Sequence, residues 1–251
     1  MAVKWIISDI DGCISPEESI PWNLDLFKKF AHISQDAAQG KGDVAPITLC
    51  TGRPQPYAEV LLKILGIRVP AVCENGAVLY SLKDNRSVYG PGVTVEKIRG
   101  LRAVRAFIEA EILPAFPDAV YQFGKEANMS VYSERPEIFE DIVPLVERFV
   151  ADQKLPPLII SPTHYYLNLS IEGVDKGMAL RELMQQLGVS LEETAGIGDT
   201  EGDISLRESV GYFACPANAK PGIKQYADYI SPYENIEGVL DILTRPEFKR
   251  A

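Results

Sequence analysis

The sequence predicts an α/β protein: a parallel sheet wound with helices, into which a smaller α+β domain is inserted. Three observations carry this. Short apolar, β-branched runs at 3–10, 46–50 and 195–198 each close on acidic or hydroxyl residues, as strands buried on both faces of a parallel sheet do. Between the second and third runs the order becomes helix, strand, strand, helix, strand, strand, which implies an antiparallel sheet with helices on one face. Finally, 251 residues with 46% hydrophobic and 24% charged side chains bury a core without disulfides or structural metal, as one large domain or two modest ones.

Taken in order, residues 3–10 (VKWIISDI) form the first strand and leave Asp9 and Asp11 at its C-terminal end. A helix is expected over 23–32, with Leu24, Phe27, Lys28 and Phe30 giving a partly apolar face, and the polar stretch 34–43 reads as a loop. The second strand, 46–50, runs through Thr51-Gly52-Arg53-Pro54 into a helix over 56–65 that Gly66 ends. Residues 69–73 and 77–80 are short strands around Glu74-Asn75-Gly76, whose Asn-Gly pair signals a turn. From 81 to 92 the composition is that of an exposed linker, and a domain boundary is expected there. The insert then reads as a helix (95–112), strands (119–123, 129–132), a helix (138–152) and strands (158–161, 165–171). This divides the chain into a core segment 1–83, an insert 84–173 and a second core segment 174–251. The second segment reads as a turn (173–177), a helix (178–187) ended by Gly188, the strand 195–198 closing on Asp199, a helix (203–208), a strand (212–214) and the segments 223–227 and 236–243. No internal repeat or low-complexity tract is present.

With 25 Lys and Arg against 35 Asp and Glu, the net charge is −10, which repels phosphodiester backbones and argues against a nucleic-acid partner. An anionic substrate would need local positive charge or a bound cation. Cys13, Cys50, Cys73 and Cys215 form no C-x-x-C pair and read as reduced thiols rather than a zinc or dithiol site. The first residues lack the apolar stretch of a signal peptide, and no 18-residue apolar run occurs, so a cytoplasmic protein without membrane association is expected. Monomer and homodimer both remain open. Only His32 and His164 are available for imidazole chemistry.

Three strand ends collect polar residues: Asp9 with Asp11, Thr51, and Asp199 with Asp203. Ligands of open parallel sheets bind outside the carboxyl ends of the strands, where these groups converge. Four carboxylates together demand a cation, and oxygen ligands without His or Cys select Mg²⁺ over zinc. With that charge neutralised, Asp9 is the candidate nucleophile toward phosphorus, and Asp11 the candidate acid/base for leaving group and water. Thr51 offers its hydroxyl and backbone N–H to phosphoryl oxygens. Lys176, just before a helix, offers its ammonium to the nucleophile and the transferring group.

Ser8-Asp9-Ile10-Asp11-Gly12, Cys50-Thr51-Gly52-Arg53, Asp175-Lys176-Gly177 and Gly198-Asp199-Thr200-Glu201-Gly202-Asp203 resemble the four ordered motifs of the haloacid dehalogenase superfamily. Glu74-Asn75-Gly76-Ala77 and Pro216-Ala217-Asn218-Ala219 resemble its Cof-type branch, whose C2-type cap is inserted between the second and third motifs. The resemblance extends to phosphoglycolate, sucrose-phosphate and mannosyl-3-phosphoglycerate phosphatases. It implies a Rossmann-like core with an αββαββ cap, and a Mg²⁺-dependent phosphatase acting on a small phosphorylated metabolite through an aspartyl-phosphate. It implies Asp9 as nucleophile and metal ligand, Asp11 as acid/base with its carbonyl on the metal, and Thr51 and Lys176 on the phosphoryl group. Asp199 would ligate the metal, and Asp203 would support the metal's waters or Lys176. Gly12, Gly52, Arg53 and Asn218 complete the expected phosphate or substrate contacts. Cys13 stands where the family usually has Thr, and Gly202 where this branch often has Asn.

Each reading has a plainer rival. Asp203 suits an ordinary helix-dipole partner, Arg53 a surface ion pair, and Asn218 a left-handed turn residue. Glu17-Glu18 reads as a solvated loop, and Trp22, His32 and His164 as packing or surface residues. Tyr121, Phe123, Tyr132, Tyr165 and Tyr166 read mostly as sheet packing. A phosphomutase of the phosphomannomutase type shares the same motifs, and a non-catalytic phospho-receiver or phosphate-binding module is the reading from another class.

Overall fold

The computed structural model describes residues 3–17, 20–163 and 165–250. Along the chain, β1 (Trp5–Ser8), α1 (Leu24–Ala38), β2 (Ile47–Leu49), α2 (Gln55–Leu65), β3 (Ala71–Cys73), β4 (Val78–Ser81) and β5 (Arg86–Tyr89) come first. Next are α3 (Val95–Phe107), α4 (Leu113–Ala115), β6 (Val120–Gln122), β7 (Asn128–Tyr132), α5 (Phe139–Asp152), β8 (Leu158–Pro162) and β9 (Tyr166–Ile171). The last part holds α6 (Lys176–Leu187), β10 (Thr194–Ile197), α7 (Ile204–Arg207), β11 (Tyr212–Cys215), α8 (Pro221–Lys224), β12 (Tyr229–Ile230) and α9 (Asn235–Ile242). Two compact units result: Met1–Val88 with Asp175–Ala251, and Tyr89–Val174.

In the first unit five strands in the order β12-β11-β10-β1-β2 pair in parallel throughout. Such a sheet is covered on both faces, which is why its strands are continuous apolar runs: Ile6, Ile7, Leu49, Ile197 and Phe213 are fully buried. Ala179, Leu180 and Leu183 of α6 and Leu206 of α7 pack with Ile7, Cys50 and Phe213. The topology switches at β1, with β2 on one side and β10, β11 and β12 on the other. Ser8 stands opposite both Leu49 and Ile197. The segments after β1, β2 and β10 therefore leave the sheet at one level, where ligands of open α/β sheets bind. Val72 of β3 bridges Cys50 in parallel and begins a small sheet, β3-β4-β5.

The second unit is a four-stranded antiparallel sheet, β6-β7-β9-β8. Its alternation places Tyr121, Met129, Val131, Leu167 and Leu169 on one face, packed with Leu101 and Val104 of α3 and Phe139, Ile142 and Val146 of α5.

Several expectations change. The stretch 34–43 is not wholly a loop, because α1 continues to Ala38. Phe30, Ala31, Ser34 and Ala37 bury one face at helical spacing, and small residues carry that face as well as large ones. The expected linker 81–92 contains β5, exposed at all four positions. The two-residue β12 is too short to show a period. Tyr121 is buried, whereas Phe123 is 81% exposed and packs edge-on with Tyr121, centroids 5.5 Å apart. Trp22 sets its ring edge-on to Phe27, centroids 4.7 Å apart, and His32 is exposed. Glu17 faces Lys220 at 3.8 Å, whereas Glu18 and His164 lie outside the described residues. Among the described residues no helix is long and apolar enough to cross a membrane.

Candidate active site

The site is built from the three strand ends and the start of α6. Asp9 leaves β1 with its N–H on the Ile197 carbonyl (2.9 Å), and its Oδ1 accepts the Ile10 N–H at 2.7 Å. Its other oxygen, Oδ2, accepts the Lys176 ammonium at 2.8 Å. Lys176 is the first residue of α6, fixed by Asp175, whose side chain caps that helix by accepting the Met178 N–H at 2.8 Å. The same ammonium donates to Asp203 Oδ1 at 2.7 Å. Asp203 Oδ2 in turn accepts the N–H groups of Asp199 (3.0 Å) and Thr200 (3.2 Å). Asp203 thus ties Lys176 to the loop that carries Asp199, and both its oxygens are engaged.

Asp199 differs from its neighbours. It is 1% exposed, and neither of its carboxylate oxygens has a hydrogen-bond partner among the described residues. Gly12 lies directly against it: with φ at +70°, a Cβ there would stand 1.9 Å from Asp199 Oδ2. Gly12→Ala is therefore expected to lower stability by about 1–3 kcal/mol. Chemical denaturation reads this, and a variant as stable as the parent contradicts the packing.

Thr51 is fully buried, and its backbone N–H donates to the Val72 carbonyl at 2.9 Å. The expectation that this N–H serves a phosphoryl oxygen is corrected: β3 has claimed it. The hydroxyl accepts the Arg53 N–H at 3.0 Å. The turn 51–53 is braced by Glu74 and Asn75, both at positive φ, whose N–H groups donate to the carbonyls of Arg53 (3.1 Å) and Thr51 (3.0 Å). Gly76 closes the brace, since a Cβ there would meet the Asp175 carbonyl oxygen at 2.1 Å. Gly52 packs on the same brace, its would-be Cβ 3.0 Å from Asn75 Oδ1.

Asp11 and Arg53 pair with each other. Arg53 Nε donates to Asp11 Oδ2 at 2.8 Å and Nη2 to Oδ1 at 2.7 Å. Asp11 is consequently not among the carboxylates that converge, which are Asp9, Asp199 and Asp203, with oxygens within 4.8 Å of one another. Asn218, read both as a substrate contact and as a turn residue, spans the fold: its Nδ2 donates to the Gly12 carbonyl (2.8 Å) and its Oδ1 accepts the Asn235 N–H (2.7 Å). It braces the turn after Asp11.

A profile of haloacid dehalogenase-like hydrolases matches residues 116–243. The phosphoglycolate phosphatase of Methanospirillum hungatei is 33% identical over 245 residues, covering 96% of this chain and 95% of the relative. The chain belongs to the haloacid dehalogenase-like hydrolase family. The phosphoglycolate phosphatase of Archaeoglobus fulgidus is 28% identical over 79% of this chain and 81% of the relative. The hydrolase also shares its fold with a haloacid dehalogenase-like hydrolase from Bacteroides thetaiotaomicron (TM-score 0.73, 18% identity, 97% and 99% coverage). A Thermoplasma acidophilum protein is similarly close (TM-score 0.72, 22% identity, 97% and 98% coverage).

The electrostatics of this hydrolase point to a cation. Burial pushes the Asp9 carboxyl up to about 7, Lys176 opposing and Asp203 adding to the rise. Burial and the charges of Asp9 and Asp203 push Asp199 up to about 8. Burial works against the charge of Lys176, but Asp203 and Asp9 outweigh it and hold the ammonium well above its usual range. One ammonium thus serves Asp9 and Asp203, while Asp199 keeps two unpartnered oxygens. Hard oxygen donors, two of them orphaned, fit a hard divalent cation. Asp203, fully buried, completes this acidic cluster with its oxygens on Lys176 and on the N–H groups of Asp199 and Thr200. Burial and the nearby carboxylates of Asp199, Asp9 and Asp203 push the Cys13 thiol well up. At the other departure, Gly202 lies in the turn Glu201–Asp203, whose brace comes from Thr200 and Asp203.

Proposed function

We propose that this hydrolase is a Mg²⁺-dependent phosphatase of a small phosphorylated metabolite, of the phosphoglycolate or sugar-phosphate kind, working through an aspartyl-phosphate on Asp9. The observation that carries the reading is the buried chain Asp9–Lys176–Asp203 beside the orphaned carboxylate of Asp199. The curated relatives, named as phosphoglycolate phosphatases, support the reaction class and suggest the substrate class. Membership of a hydrolase family leaves the phospho-receiver reading without support.

Asp9 and Asp199 would hold the ion, with any contribution from Asp11 coming from its backbone. Bound there, Mg²⁺ supplies the positive charge that lets an anionic ester approach the carboxylates. Lys176 holds Asp9 by one oxygen and adds positive charge where the phosphoryl group accumulates negative charge. Asp9 attacks phosphorus and the ester bond breaks, leaving an acyl phosphate. Asp11, two residues on, gives a proton to the departing oxygen and later takes one from the water that releases phosphate. The Thr51 hydroxyl and the turn 51–53 orient the phosphoryl oxygens.

A phosphate-release screen across phosphorylated metabolites, with and without Mg²⁺, tests the reading. Release from a phosphorylated carboxylate or sugar phosphate only with Mg²⁺ is expected; no release from any ester, or release indifferent to chelator, overturns it. Isomer formation with little free phosphate would mark a mutase. Separately, Mg²⁺ at about 100 times its Kd is expected to raise the melting temperature of metal-free protein by roughly 5–10 °C. Asp199→Asn should abolish that rise, and an undiminished rise would move the ion elsewhere.

A further inference from the structure

We propose that Arg53 is the receptor for a carboxylate on the substrate, and that it exchanges that group for Asp11 as the site fills. The inference rests on the phosphatase reading and adds a substrate feature to it. The guanidinium presents Nε and Nη2 to the two oxygens of Asp11 at 2.8 and 2.7 Å. This is the planar fork that a carboxylate fills, so a substrate carboxylate is a direct substitute for the partner already there. The exchange also serves the reaction: with Arg53 on both its oxygens Asp11 is held as a carboxylate, and a substrate group that takes the fork frees it for its acid/base role.

Arg53 is built to stay while Asp11 leaves. Its N–H donates to Thr51 Oγ1 at 3.0 Å and its carbonyl accepts the Glu74 N–H at 3.1 Å. Its guanidinium carbon lies 5.2 Å from the Tyr57 ring centroid, within cation–π range. The pair is accessible, with side chains 43% and 31% exposed, and an ion pair that wet is worth little and exchanges readily. Lys176, by contrast, is 4% exposed and enclosed by Asp9 and Asp203. Of these two cations, Arg53 is the one a substrate carboxylate can meet. Its place in the chain suits that role, since Arg53 follows Thr51 by two residues and Asp11 follows Asp9 by two. The fork and Asp11 therefore stand on the same two segments as Thr51 and Asp9, which leave the sheet at the level of Leu49 and Ser8.

The test uses two inert ligands of the Mg²⁺-loaded protein, 3-phosphonopropionate and propylphosphonate, which differ in the carboxylate. Calorimetry should show the parent preferring the carboxylated ligand by about 10- to 100-fold. Arg53→Ala should erase the preference, and Arg53→Lys should restore part of it as charge without a fork. Asp11→Asn weakens the resident competitor, so it should tighten 3-phosphonopropionate about two- to fivefold relative to propylphosphonate. That gain should vanish when Arg53→Ala is combined with it. A preference that survives Arg53→Ala, or a parent with none, overturns the receptor; an Asp11→Asn effect absent, reversed or independent of Arg53 overturns the exchange. Ester hydrolysis by the parent is measured alongside. Intact hydrolysis without carboxylate preference sinks this inference alone, whereas absent hydrolysis is the distinct failure of the phosphatase reading.

Discussion

Asp9→Asn is expected to reduce phosphate release on the order of ten-thousand-fold or more while leaving the protein folded. The amide keeps the shape of Asp9 but supplies no anionic oxygen to attack phosphorus, and no other residue stands in its place. Asp199 and Asp203 are carboxylates nearby, yet Asp203 is fully buried, with its oxygens on Lys176 and the 199–200 backbone. Asp199 belongs to the proposed cation. Lys176 retains Asp203 in the variant, so the buried ammonium is not left alone and the fold survives. Steady-state phosphate release measures the first effect and circular dichroism the second. Activity within tenfold of the parent would remove Asp9 from the chemistry.

Lys176→Ala should be the most destabilising substitution in the site. It strips the ammonium that Asp9 and Asp203 share at 2.8 and 2.7 Å, both nearly buried. Breaking a buried pair by removing one partner costs about 3–5 kcal/mol, because the remaining charge stays desolvated. For a protein of this size that is a fall of roughly 6–20 °C in melting temperature. The sign is tested by the double variant Lys176→Ala with Asp203→Asn, which removes one of the stranded charges and should recover part of the loss. A single variant that melts with the parent would show that the ammonium does not balance this cluster.

The parallel core was legible because strands buried on both faces read as apolar runs, and because the polar residues at their ends stand out: Asp9, Thr51 and Asp199 all leave the sheet at the level set by Ser8, Leu49 and Ile197. Lys176 was legible for a similar reason, following the helix-capping Asp175. The division of labour among the polar groups was not legible. Whether Asp203 ligates or braces depends on which backbone N–H groups its second oxygen finds, and whether Thr51 has a free N–H depends on β3 lying beside Cys50. The partnership of Arg53 with Asp11 joins residues 42 apart, and only strand register brings them together. Polarity alone misled at 34–43, where Ser34 and Ala37 turn out to be the buried face of α1. Asn75 was readable as a turn, but its grip on Thr51 and the contact of Gly76 with Asp175 were not.

The most direct test of the account is to trap the covalent intermediate. Mg²⁺-loaded enzyme is mixed with a hydrolysed ester, quenched in acid within the first turnover, digested and weighed by mass spectrometry. The account predicts one phosphoryl group on the peptide containing Asp9, labile to hydroxylamine and absent in Asp9→Asn. Phosphate release with that peptide unmodified throughout the first turnover, or with the phosphoryl group on another residue, would contradict it.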